Sequence, residues 1–187
     1  MMVSGALIHG KPYRAPCGDK KIPDRGICKM IKDWVFSNEH TMCHFRVAGV
    51  LIRDGKLFVQ KDSNNIFAIP GGHVSFGETS ENALIREFKE ETGVRILVNR
   101  MIWVEENFWK WGKKDAHNIS FYYLVSLQNT SDLPDSFEKL MKDNKDICMQ
   151  WIPISEVKNI VIYPQFIKEK IDAISNNIEH FVRNSWT

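Results

Sequence analysis

The chain has no apolar run approaching the ~20 residues that a membrane-crossing helix needs. Its first apolar run, Val3 to Ile8, is too short and too soon followed by polar residues to read as a secretory leader. Cysteine is scarce and unpatterned: Cys17, Cys28, Cys43 and Cys148 form no C-x-x-C pair. A disulfide framework is therefore not expected in a chain of 187 residues, and reduced thiols are the default. The spacing of Cys17, Cys28 and Cys43 around His40 and His44 is too irregular for a zinc site. Charge of one sign is also lacking. The formal net charge is +2 with no long basic run, which gives no strong signal for nucleic acid or a membrane surface. Single basic residues remain available to substrate phosphates. There is no internal repeat and no low-complexity segment. These absences leave a soluble, cytoplasmic globular protein as the expectation.

What is present suits that class. Hydrophobic residues make up 43% of the chain and charged residues 26%, the balance of one ordinary domain with a substantial core. Residues 1–41 are the least readable part and are taken as an N-terminal extension of unknown role, ahead of a domain over 42–187. Turn signals punctuate the extension at Lys11 to Asp19 and Pro23 to Gly26, and Met30 to Phe36 suits either a short strand or a short helix. Whether it packs on the domain or exchanges with a second subunit is open, so a homodimer stays open too.

From His44 the pattern turns to strands. Phe45 to Ile52 is apolar and β-branched, Asp54-Gly55 signals a hairpin, and Lys56 to Lys61 is the return strand. Ile66 to Gly72 leads into a glycine-rich loop. Further on, Val94 to Phe108 and Asn118 to Leu127 predict two strands around a turn at Trp111 to Asp115. Phe137 to Met141 suits a helical turn, Met149 to Pro153 a short strand, and Ser155 the cap of a short helix. Phe166, Ile167, Ile171, Ile174, Ile178 and Phe181 recur at helical spacing, which predicts a last helix over about 165–184 covering one sheet face. The order of strands, helix, strands, helices implies an α/β or α+β domain.

The most informative stretch runs from Gly72 to Val94. Thr79 is a suitable N-cap, Ala83 to Thr92 holds good helix formers, and Gly93 suits the left-handed residue that ends a helix. At 100° per residue, Leu84, Ile85 and Phe88 share a core-facing side, while Glu87, Glu90 and Glu91 form a separate acidic stripe. Carboxylates at i, i+3 and i+4 repel by a few tenths of a kcal/mol per pair. A solvated face would interleave lysine, and a hard divalent cation would instead use the oxygens as ligands. By itself the stripe also fits an ordinary charged face.

Gly72, Glu78, Arg86-Glu87, the apolar Phe88, Glu90-Glu91, Gly93 and the aliphatic Val94 together match each fixed position of the Nudix box, so the chain resembles the Nudix hydrolase family. The resemblance implies a Nudix fold, an α/β/α sandwich with a mixed β-sheet. It implies hydrolysis of a nucleoside diphosphate linked to another moiety, with Mg²⁺ or Mn²⁺ as cofactor and a small nucleotide or nucleotide-sugar type substrate. Carried over position by position, Glu87, Glu90 and Glu91 become the metal carboxylates, with Glu87 also orienting or deprotonating water. The Gly71 carbonyl adds a ligand. Arg86 holds the glutamates and can fork to Glu78, which shapes the loop. A late-loop carboxylate is common in the family, and Asp146 is favoured over Asp143. Trp109 and Trp111 are candidates to stack on the substrate base, with strand packing the plainer role; His117 suits either substrate contact or the turn, and His73 is expected to be exposed and not catalytic. The marks of the ADP-ribose, dinucleoside polyphosphate and NADH subgroups are absent. The alternative is a non-catalytic nucleotide-binding Nudix module with a regulatory role; an RNA 5′-end hydrolase would want a basic groove that the net charge does not suggest.

Overall fold

The computed structural model describes residues 33–140 and 147–186. Asp146, Asp143 and most of the extension fall outside the described residues. The last part of that extension, from Asp33, joins the sheet: β1 (Val35–Ser37) pairs antiparallel with the start of β2 (Thr41–Arg53).

β2 is the spine. Its Thr41–Leu51 part runs parallel to β7 (Lys114–Leu127), and its end turns back into β3 (Lys56–Lys61). Asp54 and Gly55 have φ of 50° and 71°. Two successive left-handed residues are what a twist-matched two-residue hairpin requires, which is why Asp-Gly stands there. β7 pairs antiparallel with β6 (Ile96–Trp111), and β6 pairs parallel with β11 (Glu179–Asn184). On the other side β3 pairs with β4 (Ile66–Ala68) and β9 (Cys148–Pro153), β4 with β10 (Val161–Tyr163), and β9 with β8 (Glu138–Leu140). β5 (Gly71–His73) lies against β2 at Arg46–Ala48. The sheet is thus mixed, with parallel pairs β2–β7, β6–β11 and β4–β10 among antiparallel ones.

A core lies on each face. On one, α1 (Ser80–Thr92) buries Ala83, Leu84 and Phe88 against Val47, Leu51, Phe58 and Val125. On the other, Val157 of a 3₁₀ helix (Ile154–Asn159), Ile167 of α2 (Ile167–Lys170) and Ile171 at its C-cap cover Ala48, Val50, Leu57 and Trp103. This is the expected α+β sandwich. The capping of α1 is as the sequence predicts: Thr79 Oγ1 accepts from the Asn82 N–H at 3.2 Å, and Gly93, at φ 84°, donates to the Lys89 carbonyl at 3.0 Å.

Three expectations need correction. The last helix is a single turn, Ile167–Lys170, and Glu179–Asn184 is a strand. Phe166, Ile167, Ile171, Ile174 and Phe181 do face the core, with Phe166 stacked on Phe181 at 3.9 Å, whereas Ile178 is exposed. However, the Asn177 N–H donates to Ser175 Oγ at 3.0 Å, a local bond that competes with helix, and residues 179–184 then complete the open edge of β6. Glu138–Leu140 is a strand on β9, in place of the helical turn at Phe137 to Met141, because β9 offers an unpaired edge. The Ser155 side chain caps nothing: the 3₁₀ helix already starts at Ile154, and no side chain caps that start.

Phe88 is fully buried, and a Cβ built at Gly49 would stand 2.7 Å from its ring. The helix therefore packs directly on the β2 backbone. Phe88→Ala should destabilise the fold by about 3–5 kcal/mol, read as a lower urea midpoint at unchanged m-value.

Candidate active site

The loop before α1 and the helix itself are joined by one side chain. Arg86 donates from Nε to Glu78 Oε1 at 3.0 Å and from Nη2 to Glu78 Oε2 at 2.9 Å, the fork foreseen from the sequence. Nη2 also donates to the His73 carbonyl at 3.0 Å, and Nη1 to Glu87 Oε1 at 2.6 Å and Glu90 Oε2 at 3.2 Å. These five contacts match the five N–H groups of a guanidinium. Glu78 in turn closes the loop: its N–H donates to the Ser75 carbonyl at 3.1 Å, and its carboxylate accepts from the Ser75 N–H at 3.2 Å. The Arg86 hydrogen bonds, with that Ser75 N–H, hold the Glu78 carboxyl below its ordinary pKa, and Glu78 and Glu87 hold Arg86 more firmly charged than a free arginine.

Glu87 reaches the strand beneath. A Cβ placed on Gly72 would fall 2.2 Å from the Glu87 carboxyl carbon, so only glycine admits the carboxylate there. Gly71 is as constrained, since its Cβ would lie 2.0 Å from the Val47 carbonyl oxygen. Glu90 is exposed and Glu91 half-buried on the same helix.

Gly71 also lines a cavity of about 590 Å³ on the opposite face of the sheet. Side chains from β2, β6, β7 and β11 form it, among them Arg46, Glu105, Trp109, Trp111, Tyr122 and Arg183. Two of the three proposed substrate contacts, Trp109 and Trp111, are thus in the cavity wall. His117 is elsewhere: it stacks on Phe108 at 4.0 Å, with Nε2 3.8 Å from Glu106. Glu87, Glu90 and Glu91 do not line the cavity, which approaches the box at Gly71.

The sequence reading missed Arg46, Arg183 and the Glu105–Tyr122 pair. The available signal was the two-residue period of β6, which puts Glu105, Asn107, Trp109 and Trp111 on one face. It also missed that His44 Nδ1 and His73 Nε2 lie 2.8 Å apart, so His73 is half-buried rather than exposed. Burial, then the charges of Arg46 and His44, depress the His73 pKa to about 4, and burial also lowers His44. Both rings are neutral at pH 7, and one donates to the other.

Comparison with known proteins identifies the arrangement. The NUDIX domain family model matches residues 44–170, and the chain belongs to that family. It is 44% identical over 62 residues to an "ADP-ribose pyrophosphatase" of Methanocaldococcus jannaschii, covering 31% of this chain and 37% of that protein. It is 31% identical over 107 residues to an "m7GpppN-mRNA hydrolase NUDT17" of Xenopus laevis, covering 52% and 34%. The chain therefore spans well under half the length of these relatives. The fold resembles that of a "UDP-X diphosphatase" (TM-score 0.54, 18% identity, 77% of this chain and 69% of that one). It also resembles a MutT protein from Bacillus halodurans (TM-score 0.53, 14% identity, 75% and 90%). Among the described residues no helix is long and apolar enough to cross a membrane.

The ion pair gives a pH signature. Glu78 has its pKa lowered in the fold, so its contribution to stability is fully present above its ordinary value of 4.5 and is lost as pH falls through the lower folded value. The urea stability of the parent should fall on acidification through that window, and Glu78→Gln should show a visibly shallower fall, measured from pH 7 to pH 3.

Proposed function

We propose that the chain is a metal-dependent pyrophosphohydrolase that cleaves a nucleoside diphosphate linked to another moiety. The carrying observation is the seam at Gly71–Gly72. On one side it meets the Glu87 carboxylate, and on the other it opens to a cavity large enough for a nucleoside.

The donor set fits a hard dication in chemistry. Glu87, Glu90 and Glu91 offer anionic oxygens, Gly71 a carbonyl and Asp146 a further carboxylate, and these are the ligands Mg²⁺ or Mn²⁺ takes. Among the described residues no three His, Cys, Asp or Glu side chains are already gathered to hold a metal ion, and Arg86 Nη1 binds both Glu87 and Glu90. Those two carboxylates would turn from Nη1 to bind the cation, leaving Arg86 anchored by Glu78 and the His73 carbonyl. When bound, the ion neutralises the diphosphate and acidifies a bound water.

The chain's own residues do the rest. Glu87, held against Gly72, takes the proton of the attacking water. The water oxygen bonds to phosphorus while the bridging P–O bond breaks toward the departing phosphate. Arg86 and Glu78 fix the loop that presents the Gly71 carbonyl. Trp109 and Trp111 stack on the base, at about 1–3 kcal/mol per ring. The two relatives are named for different substrates, ADP-ribose and an m7GpppN cap, so they do not single out a base for this chain.

The Arg86–Glu87–Glu90 contact also supports the second reading, a non-catalytic nucleotide-binding module, because it satisfies two stripe carboxylates without an ion. Turnover separates the two. A panel of nucleoside diphosphate derivatives with Mg²⁺ or Mn²⁺ should yield nucleoside monophosphate, and excess chelator should abolish the reaction. Glu87→Gln should lower kcat by at least 10²–10⁴-fold, about what a positioned base supplies. Glu81→Gln, the same charge change at the exposed helix start, should leave kcat near the parent's. A rate near the parent's in Glu87→Gln at saturating metal would remove Glu87 from the chemistry.

The two indoles predict a different kinetic pattern. Stacking that is equal in ground and transition states is uniform binding. Trp109→Ala or Trp111→Ala should therefore raise KM several-fold with little change in kcat. Unchanged KM in both would return the rings to strand packing.

A further inference from the structure

The cavity's chemistry is concentrated on one strand. Glu105, Asn107, Trp109 and Trp111 alternate along one face of β6, so a carboxylate, a carboxamide and two indoles line the same wall. Glu105 is only 5% exposed, and its Oε2 accepts from the Tyr122 hydroxyl at 2.7 Å. Oε1 accepts no hydrogen bond among the described residues. Asn107 stands directly opposite Asn118 of β7, and the Oδ1 of each is buried with no partner. Buried acceptors left without donors are destabilising. A native fold rarely keeps several together without a ligand or water to satisfy them.

Among the described residues no lysine or arginine hydrogen-bonds to Glu105, although the charge of Arg183 acts on it. The fold holds a carboxylate in a desolvated wall, orients it with a tyrosine and places aromatic faces beside it. The aromatic faces call for a planar ligand, and the carboxylate calls for donors on its edge. Among the nucleobases, guanine alone presents two adjacent donors, N1–H beside the 2-amino group, and these match the two oxygens of a carboxylate. Adenine and cytosine set a ring acceptor beside their amino group. Uracil sets one N–H between two carbonyls. Each of these turns at least one acceptor toward a carboxylate.

We propose that Glu105 is the specificity-determining residue of the cavity and selects a guanine base, receiving its N1–H and 2-amino group while Tyr122 holds the carboxylate in place. The proposal rests on the reading of this cavity as the nucleoside end of the site. The carboxamides of Asn107 and Asn118 lie two positions along the strands from Glu105 and Ser120, on the same face, where they meet the rest of the base edge.

The test is calorimetric binding of guanosine, inosine and adenosine 5′-monophosphates to the full chain at pH 8, without metal and without turnover. GMP should bind at least about tenfold more tightly than AMP, the scale of one good bidentate base contact. IMP, which keeps N1–H but lacks the 2-amino group, should lose much of that advantage. The IMP comparison needs no variant. Glu105→Gln presents one acceptor and one donor, so GMP should weaken about tenfold while AMP holds or improves, with the fold checked by thermal melting. Equal binding of GMP, IMP and AMP by the parent overturns the proposal. Equal weakening of GMP and AMP in Glu105→Gln also overturns it and assigns the carboxylate to the ribose diol. Because binding is read apart from hydrolysis, a chain that selects GMP yet turns over no diphosphate would refute the hydrolase reading and leave this one standing.

Discussion

The Arg86 guanidinium is the contact on which the site depends. Among the described residues it is the one cation paired with Glu78, Glu87 and Glu90, and it also binds the backbone carbonyl of His73. Without it, three carboxylates and a glycine-rich loop would have no common anchor, and like charges would drive the loop and helix apart. Lysine would not substitute, because a point charge lacks the planar fork that takes Glu78 in two parallel bonds. Arg86 is off the acidic stripe in helical direction, so it grips Glu87 and Glu90 from the side and leaves the rest of each carboxylate for other partners.

The second constraint is steric. Glycine at positions 71 and 72 lets β5 press on β2 and lets the Glu87 carboxylate settle on the strand. Helix and cavity lie on opposite faces of the sheet, in two separate cores. A side chain at either glycine would separate the carboxylates from the cavity. The Gly-Gly step is thus the point at which the two faces come closest, with Glu87 over Gly72 on one side and the cavity at Gly71 on the other.

Legibility followed range. Features set by neighbours in sequence were readable: the Asp54-Gly55 hairpin, the Thr79 and Gly93 caps, and the core face of α1 at Leu84 and Phe88. The Arg86–Glu78 fork was readable because the box fixes both positions. Features set by distant partners were not. The apolar repeat from Phe166 to Phe181 marks core residues except at the exposed Ile178, but helix and strand compete over it. The open edge of β6, about 75 residues earlier in the chain, decides for the strand after Ile178. The His44–His73 pair arises only because β5 docks beside β2, so no local pattern around His73 shows it. Trp109 and Trp111 are readable as candidates to stack on a base; their common wall with Glu105 follows from the strand running on to Trp111, beyond the Phe108 at which the sequence pattern ends it.

That extra length of β6 links fold to chemistry. Up to Trp103 its cavity-side residues are core, packed on Phe166 and Tyr122. From Glu105 onward the same face turns polar and then aromatic. Covering helices contribute Ile167 and Ile171 to the core but do not line the cavity. A strand carried past its core needs partners for its backbone. β7 supplies them on one side, and β11, pairing as far as Asn184 against Phe108, supplies them on the other. The strand that replaced the expected C-terminal helix therefore has a role that a helix could not fill. It pairs with β6 from Trp103 to Phe108 and places Arg183 in the cavity wall beside Asn107, its direct neighbour in register. The same pairing that defeats the helical pattern builds the cavity's far wall.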